Sequence, residues 1–360
     1  MPRAPSRPKP LCREGLATIH IAPRCAGHLQ KRGHDANRVN AAHARIAVVF
    51  SLQMRIGFQL TVAVLATMIP AAFLHAQRAR GDDAAVPGAR RLELAFQGRM
   101  REYLIHVPAA PNGSLVLSFH GGGQTAAQLE RITGLDVLAD REHFIVAYPQ
   151  AFERSWADGR NETSAEKQGV DDVGFAKAVI DDIAKRQTID RSRVFATGLS
   201  NGAIFTHRLA CETADMLAAI APVIGAVAKN TAASCRPRVP VAVVAVQGRA
   251  DPSVPFDGNE HLQSSRATEE MWRTLNGCAP QVTSTTLPAI MQDGTSVERR
   301  SYTSCRTHGD VVWYEIIGGG HRWPPETVSD ARSQAENGVS SQNLNASEVI
   351  SAFFKTHGRR

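Results

Sequence analysis

The sequence of 360 residues predicts an α/β fold in which helices cover both faces of a mostly parallel sheet. From residue 91 onwards, short apolar runs alternate with segments that carry apolar residues at helical spacing. At residues 198–202 the sequence Gly-Leu-Ser-Asn-Gly joins an apolar run to a segment that can continue as a helix, which is typical of a sharp strand-to-helix turn. No internal repeat and no linker rich in Pro or Ser divides residues 77–360, so this segment is predicted to be one domain.

Nine short runs, apolar and partly β-branched, predict strands at 91–96, 101–107, 115–119, 144–148, 193–197, 217–223, 239–246, 297–302 and 311–317. The first two flank Gln97-Gly98, which predicts a β-hairpin. The glycines of the strand-to-helix turn fit a backbone too tight for neighbouring Cβ atoms.

Helices are predicted at 171–186, 203–209, 267–275 and 346–355. Asp171 and Asp172 stand at the start of the first of these, where carboxylates suit the helix dipole. This position favours a helix cap over a pair of metal ligands. The segment 155–169 is polar and rich in turn residues, which predicts an exposed loop.

Residues 54–76 have the pattern of a secretory signal peptide, with a short basic start at Met54, an apolar core and a small residue, Ala76, at the expected cut. A membrane anchor is the alternative, which Pro70 and the shortness of the run disfavour. Residues 1–53 are rich in Arg, Pro, Ala and His without apolar periodicity. We expect either a disordered arm or an over-extended reading frame whose translation begins at Met54.

The basic charge of the chain belongs to its start. Residues 1–76 hold 10 of the 41 Lys and Arg and 2 of the 34 Asp and Glu, which leaves 31 basic and 32 acidic residues in the body. No basic patch with interleaved aromatic residues is visible, so nucleic acid is not an expected partner. We expect a secreted or periplasmic protein that meets the membrane only through its signal peptide.

Six cysteines are present, of which Cys12 and Cys25 lie in the doubtful extension. An even number remains in the body, and in an exported protein this indicates two disulfides. Sequence neighbours favour Cys211 with Cys235 and Cys278 with Cys305, although four cysteines allow three pairings. The absence of Cys-x-x-Cys spacing gives a zinc site little support.

A reactive serine needs a base, and the base needs an orienting acid. Ser200 is the candidate nucleophile, Asp251 after the strand 239–246 is the candidate acid, and His321 after the strand 311–317 is the candidate base. Their order along the chain is that of α/β-hydrolases and not of the chymotrypsin or subtilisin types. Rival acids and bases, less well placed relative to the predicted strand ends, are Asp171, Asp172, Asp257, His308 and His357.

The sequence His-Gly-Gly-Gly at residues 120–123 follows a predicted strand and corresponds to the oxyanion motif of lipases and esterases. A tetrahedral oxyanion needs two or more hydrogen-bond donors, and glycines expose backbone N–H groups. We expect these donors to be the amides of Gly122 and Asn201, with Gly121 as a third candidate. A phosphate-binding loop is the alternative, but Gln124-Thr125 lacks the required Lys-Ser/Thr ending.

These signals predict a serine hydrolase in which Ser200 attacks an ester carbonyl, His321 acts as base and the acyl-enzyme is hydrolysed by water. The expected partner is an ester substrate, and no cofactor or metal is implied. A serine peptidase of the same fold is one alternative, because a triad does not distinguish amides from esters. A catalytically inactive binding module is the other.

Five motifs resemble those of the secreted esterase family of polyhydroxybutyrate depolymerases and feruloyl or acetylxylan esterases: LSFHGGG at 117–123, VDDVGF at 170–175, GLSNG at 198–202, GRADPSVP at 248–255 and GHRWP at 320–324. The resemblance spans roughly residues 92–355. It implies an α/β-hydrolase fold with Ser200, Asp251 and His321 as the triad, acting on a hydroxyalkanoate oligomer or on a feruloyl or acetyl ester. The cysteine positions are also similar to the family's, which supports two disulfides.

Four further residues are candidates for contact with the substrate: His120, Tyr148, Trp156 and Trp323. Trp323 comes two residues after the candidate base, where an aromatic ring can stack on a feruloyl ring or cover an acyl chain. Ordinary core packing is the alternative for the aromatic residues.

Overall fold

The computed structural model describes residues 85–306, 308–327 and 331–359. The predicted extension and signal peptide, with Cys12 and Cys25, lie outside the described residues. No helix within the described ranges is long and apolar enough to cross a membrane.

Ten strands in the described residues form one sheet. In chain order they are β1 (Arg90–Phe96), β2 (Arg99–His106), β3 (Leu115–Phe119), β4 (Ile145–Pro149), β5 (Val194–Leu199), β6 (Ala219–Val223), β7 (Ala242–Gly248), β8 (Thr283–Thr286), β9 (Ser296–Tyr302) and β10 (Val311–Ile317). Across the sheet the order is β1-β2-β4-β3-β5-β6-β7-β10-β9-β8. The six central strands run parallel, and an antiparallel pair lies at each edge. The predicted mostly parallel sheet is confirmed.

The helices are α1 (Ala126–Thr133), α2 (Leu135–Glu142), α3 (Ser164–Lys167), α4 (Asp172–Arg186), α5 (Asn201–Glu212), α6 (Lys229–Ser234), α7 (Ser265–Leu275), α8 (Ala331–Asn337) and α9 (Ala346–Thr356). All four predicted helices are present within these elements. The side chain of Asp171 caps α4 by accepting a hydrogen bond from the amide of Gly174 at 2.7 Å. The cap interpretation of this residue is confirmed.

Helices cover both faces of the sheet, as predicted. One buried layer packs α4, α5 and α7 against side chains such as Leu115 and Leu117 of β3. The other packs α1, α2 and α9 against the opposite side, where Val116 of the same strand points. Because neighbouring side chains of a strand point to opposite faces, a continuously apolar strand such as β3 must be buried on both sides.

The hairpin between β1 and β2 is confirmed. Gln97 and Gly98 take φ values of +47° and +74°, which suit the two-residue turn of a twisted hairpin. The sequence did not predict α1, α2, α3, α6, α8 or β8. Strand β8 is exposed along its whole length and carries Thr and Ser, so no apolar pattern marks it.

The prediction that 155–169 forms an exposed loop is wrong in part. Trp156, Ala157 and Asp158 are buried, and a short helix, α3, follows them. Hydrogen bonds explain this burial: the amide of Ala157 donates to Asp172 at 2.8 Å, and its carbonyl accepts from Arg208 at 2.7 Å. A polar segment can enter the interior when its backbone groups find partners there.

Two disulfides join the cysteines of the body, in the pairing that sequence neighbours favoured. Cys211 near the end of α5 is bonded to Cys235 directly after α6. Cys278 after α7 is bonded to Cys305 after β9. The predicted connectivity is therefore confirmed, and each bridge closes a loop of fewer than thirty residues.

Candidate active site

Ser200 lies on the turn between β5 and α5, at the carboxyl end of the central strands. Its backbone has φ +56° and ψ −119°, a strained conformation for a residue that is not glycine. Gly202 allows the helix to start here, because a Cβ atom at this position would overlap the carbonyl group of Phe119 at the end of β3. The turn therefore presses the start of α5 against β3 and leaves the serine at the edge of the sheet.

Ser200, His321 and Asp251 form one hydrogen-bonded line. The Oγ atom of Ser200 lies 2.9 Å from Nε2 of His321, and Nδ1 of the same ring lies 2.8 Å from Oδ2 of Asp251. If Nδ1 carries the proton and donates to the carboxylate, Nε2 is free to accept the serine proton. The structure thus brings together the three residues predicted from the sequence, across 121 positions of the chain.

The carboxylate of Asp251 is fixed from its other side. It follows β7, its side chain is fully buried, and Oδ1 accepts from the amides of Ser253 and Val254, each at 2.8 Å. His321 follows β10, which is the neighbour of β7 in the sheet, and its side chain stays partly accessible. An acid that is held by three hydrogen bonds keeps one orientation toward the imidazole.

The rival acids and bases have other contacts. Asp172 forms a buried ion pair with Arg101 at 2.8 Å, and His357 lies 3.2 Å from Asp310. Asp257 is exposed, and His308 lies in a turn after β9. None of these residues lies in the hydrogen-bonded line of Ser200.

Gly122 and Asn201 lie next to each other. A Cβ atom built on Gly122 would be 3.6 Å from Cβ of Asn201. Within the described residues, no hydrogen-bond acceptor is found for either amide. Asn201 is the first residue of α5, where N–H groups have no partner inside the helix. Both amides are thus available as donors beside Ser200.

The third candidate donor, Gly121, is occupied. Its amide donates to Oε1 of Gln124 at 2.9 Å, so it is not available to a ligand in this arrangement. The sequence missed this contact because it depends on the conformation of one long side chain.

His120 does not line the pocket as predicted, because it is fully buried. Its Nε2 atom accepts from the amide of Ala151 at 3.1 Å, which leaves Nδ1 to donate to the carbonyl of Gly121 at 2.8 Å. Burial lowers the pKa of His120 to about 4, so the ring is neutral near pH 7. The carbonyl and N–H of one peptide point in opposite directions, so fixing the Gly121 carbonyl also orients the Gly122 amide.

Tyr148 and Trp156 are also interior residues, which corrects their prediction as pocket residues. The hydroxyl of Tyr148 donates to Asp136 at 2.7 Å, and the ring is fully buried. Trp156 is fully buried against Phe205. Trp323 is almost fully buried but does border the cavity at Ser200, and its indole donates to Ser347 at 2.9 Å.

Two adjoining cavities open beside Ser200. The first, of about 220 Å³, is bordered by the glycine loop, Ser200 and His321. The second, of about 420 Å³, lies between α1 and residues 325–327. Both are bordered by Gln124, Ile132 and Glu326, so the two spaces are neighbours. The sequence analysis assigned none of these three residues to the substrate site, since no motif marks them for that role.

Among the described residues, no group of three or more His, Cys, Asp or Glu side chains is arranged to hold a metal ion. The strand order, the strained turn and the Ser–His–Asp line define the class of protein as an α/β-hydrolase.

Comparison with known proteins identifies the family. The family model described as esterase PHB depolymerase matches residues 102–267. The putative esterase NocK of Nocardia uniformis subsp. tsuyamanensis is 31% identical over 255 residues, which is 65% of this chain and 74% of that protein. The chain belongs to the PHB depolymerase esterase family, and it is a carboxylic ester hydrolase.

Other relatives match over shorter segments. Poly(3-hydroxyalkanoate) depolymerase C of Paucimonas lemoignei is 34% identical over 33% of this chain, which spans 30% of that protein. A bifunctional acetylxylan esterase/xylanase of Neocallimastix patriciarum is 32% identical over 43% of this chain, which spans 22% of that protein. The solved acetyl xylan esterase from Aspergillus awamori has a TM-score of 0.49 at 15% identity, covering 69% of this chain and 98% of its own.

Proposed function

We propose that this esterase acts through a covalent acyl-enzyme, with Ser200 as nucleophile, His321 as general base and Asp251 as the residue that orients the imidazole. The observation that carries the proposal is the continuous line of hydrogen bonds from Ser200 through His321 to Asp251, at 2.9 and 2.8 Å. In such a line the base takes the serine proton as the hydroxyl attacks, and the buried carboxylate stabilises the imidazolium that forms.

The negative oxygen of the tetrahedral intermediate would be held by the amides of Gly122 and Asn201. Collapse of the intermediate breaks the ester bond, and the imidazolium of His321 gives its proton to the departing alcohol. Water then enters, loses a proton to His321 and attacks the acyl-enzyme. A second tetrahedral intermediate releases the acid and restores Ser200.

The lining of the second cavity favours an ester whose alcohol part carries hydroxyl groups. Oε1 of Gln124 accepts from the amide of Gly121, and Oε1 of Gln128 accepts from the amide of Thr125, both at 2.9 Å. Within the described residues, no acceptor is found for either side-chain NH₂ group. Amide donors beside the carboxylate of Glu326 suit hydroxyl groups, which both donate and accept.

An acetylated sugar has this chemistry, and one relative is named as a bifunctional acetylxylan esterase/xylanase. Oligomers of hydroxybutyrate are the second candidate, because a relative is named as a poly(3-hydroxyalkanoate) depolymerase. Their ester carbonyls only accept hydrogen bonds, so they would use the glutamine donors and make no hydrogen bond to Glu326, whose carboxylate pairs with Arg322 at 3.4 Å.

We also propose that the protein is exported through the signal peptide predicted at 54–76. Two disulfides support an oxidising compartment, because cytosolic proteins rarely keep structural disulfides.

The test is hydrolysis of an ester panel by the wild-type protein and by Ser200→Ala. The panel contains 4-nitrophenyl acetate, acetylated xylo-oligosaccharides, methyl ferulate, hydroxybutyrate trimer and, for the peptidase alternative, a peptide anilide. We expect ester hydrolysis that falls at least about 10³-fold in Ser200→Ala. Equal rates in the two proteins would refute the nucleophile. A folded wild-type protein that cleaves only the anilide, or nothing, would favour the peptidase or the binding module.

A further inference from the structure

The loop after β4, residues 150–158, runs behind the glycine loop that carries Gly122. The amide of Ala151 donates to the ring of His120 at 3.1 Å, and the carbonyl of Arg154 accepts from the amide of Gly123 at 2.8 Å. These contacts join the glycine loop to residues 150–158.

Trp156 in this loop contacts both halves of the oxyanion site. Its indole Nε1 donates to the carbonyl of His120 at 2.9 Å. Its backbone amide donates to Oδ1 of Asn201 at 2.9 Å, and its carbonyl accepts from Nδ2 of Asn201 at 3.2 Å. One residue is thus bonded to the start of the glycine loop and, twice, to the residue whose amide is the second donor.

The indole ring is itself held in one place. It is fully buried, stacks on Phe205 of α5 with ring centroids 5.2 Å apart, and meets Phe119 of β3 edge-on at 5.1 Å. Helix α5, which begins at Asn201, and strand β3, which leads into the loop of Gly122, therefore both pack on this ring. A close-packed ring of this kind resists displacement, because its neighbours leave no free space.

We propose that Trp156 is a positioning residue that sets the spacing between the amides of Gly122 and Asn201. The inference rests on the proposed function, because it takes these amides as the oxyanion donors. Donors must lie about 2.7–3.1 Å from the oxygen atom once it carries the negative charge. The ground-state carbonyl oxygen lies elsewhere, so the donors fit the transition state and not the substrate. An error in their spacing therefore weakens the transition state while substrate binding is little changed.

The test is Trp156→Phe, which keeps an aromatic ring but removes the indole donor. We expect kcat to fall about 10- to 100-fold with KM changed less than about twofold. The affinity for a boronic acid that forms a tetrahedral adduct with Ser200 should fall by a similar factor. A residue that only stabilises the fold would lower the melting temperature without this selective loss.

Trp313→Phe is the matched control. Trp313 is also fully buried and donates its Nε1 to a hydroxyl, that of Ser265, at 2.9 Å, but it lies on β10 and bonds no residue of the oxyanion site. We expect this variant to lose comparable stability and to keep kcat within about twofold of wild type.

A Trp156→Phe enzyme with the kcat of the control overturns the inference, as does a loss of kcat with unchanged boronic acid affinity. If Trp156→Phe does not fold, benzothienylalanine at position 156 replaces Nε1–H by sulfur in a ring of the same shape, and the same kinetic result is expected. Failure of the proposed function has a different signature, namely wild-type hydrolysis no faster than that of Ser200→Ala.

Discussion

Two loops at the same edge of the sheet do opposite things with their side chains. The turn after β5 holds Ser200 in a strained conformation beside the first cavity. The loop after β4 turns Trp156 and Asp158 inward, where they bond the backbone and side chains that surround the serine. One loop carries the candidate nucleophile and the other contacts its neighbours, although both follow parallel strands of the same sheet.

The largest loss of activity is expected when the turn after β5 can no longer pack tightly against β3. In Gly202→Ala the new methyl group overlaps the carbonyl group of Phe119, so α5 must move away from β3. We expect esterase activity below about 1% of wild type, since small misplacements at an active site cost about 10²-fold. Gly98→Ala in the β1–β2 hairpin is the control: its φ of +74° strains an alanine, but no atom lies within 4 Å of the new methyl group, so nothing is displaced toward Ser200. Equal activity in the two variants would contradict this account.

A second variant tests the hydrogen bond between Asn201 after the first loop and Asp158 in the second. Nδ2 of Asn201 lies 2.6 Å from Oδ2 of Asp158, which is fully buried and paired with Arg160. Asn201→Asp places a second carboxylate there, and we expect kcat to fall about 10- to 100-fold through like-charge repulsion. The double variant with Asp158→Asn restores a donor–acceptor pair and should recover part of the loss. If kcat is no higher in the double variant, measured side by side, the contact does not position Asn201.

A smaller effect is expected on the pH dependence of stability, which two buried histidines, His120 and His207, determine. Burial lowers the pKa of His120 to about 4 and that of His207, on α5, to about 3. Between pH 6.5 and 4 the unfolded chain binds protons that the folded protein does not, so stability falls as the pH falls, by about 1.4 kcal/mol per pH unit for each group. Urea unfolding across this window should show a shallower slope in His207→Gln. Identical slopes in the wild-type protein and in His207→Gln would refute the assignment.

The smallest expected effect lies outside both loops, on α1. Gln128→Leu removes a donor that borders the second cavity without touching the hydrogen-bonded line of Ser200. We expect KM for an acetylated xylo-oligosaccharide to rise about three- to tenfold, and kcat/KM for 4-nitrophenyl acetate to stay within twofold. A similar loss on both substrates would show that α1 acts on the catalytic groups and not on the alcohol part.

The sequence predicted the parts that short-range patterns determine. Buried strands are apolar runs, the Ser200 turn has its own glycine spacing, and strand ends meet at one edge of a parallel sheet, which places Asp251 and His321 near the serine. The burial of Trp156 was not predictable in this way. The backbone groups around it are buried because they bond to Asn201 and Asp172, which lie far along the chain. The occupied amide of Gly121 depends on one rotamer of Gln124, which no pattern encodes.

The residues that contact the loop of Gly122 and the side chain of Asn201 and the residues that border the second cavity belong to different segments. These contacts come from residues 150–158, whereas the cavity is bordered by α1 and residues 325–327. Under the proposed function, substitutions on α1 can alter which alcohol is accepted while the contacts of Trp156 with His120 and Asn201 stay unchanged. Related enzymes with this arrangement can change substrate specificity without a change of catalytic mechanism. A directed-evolution library for a new alcohol part should therefore be confined to the residues that border the second cavity.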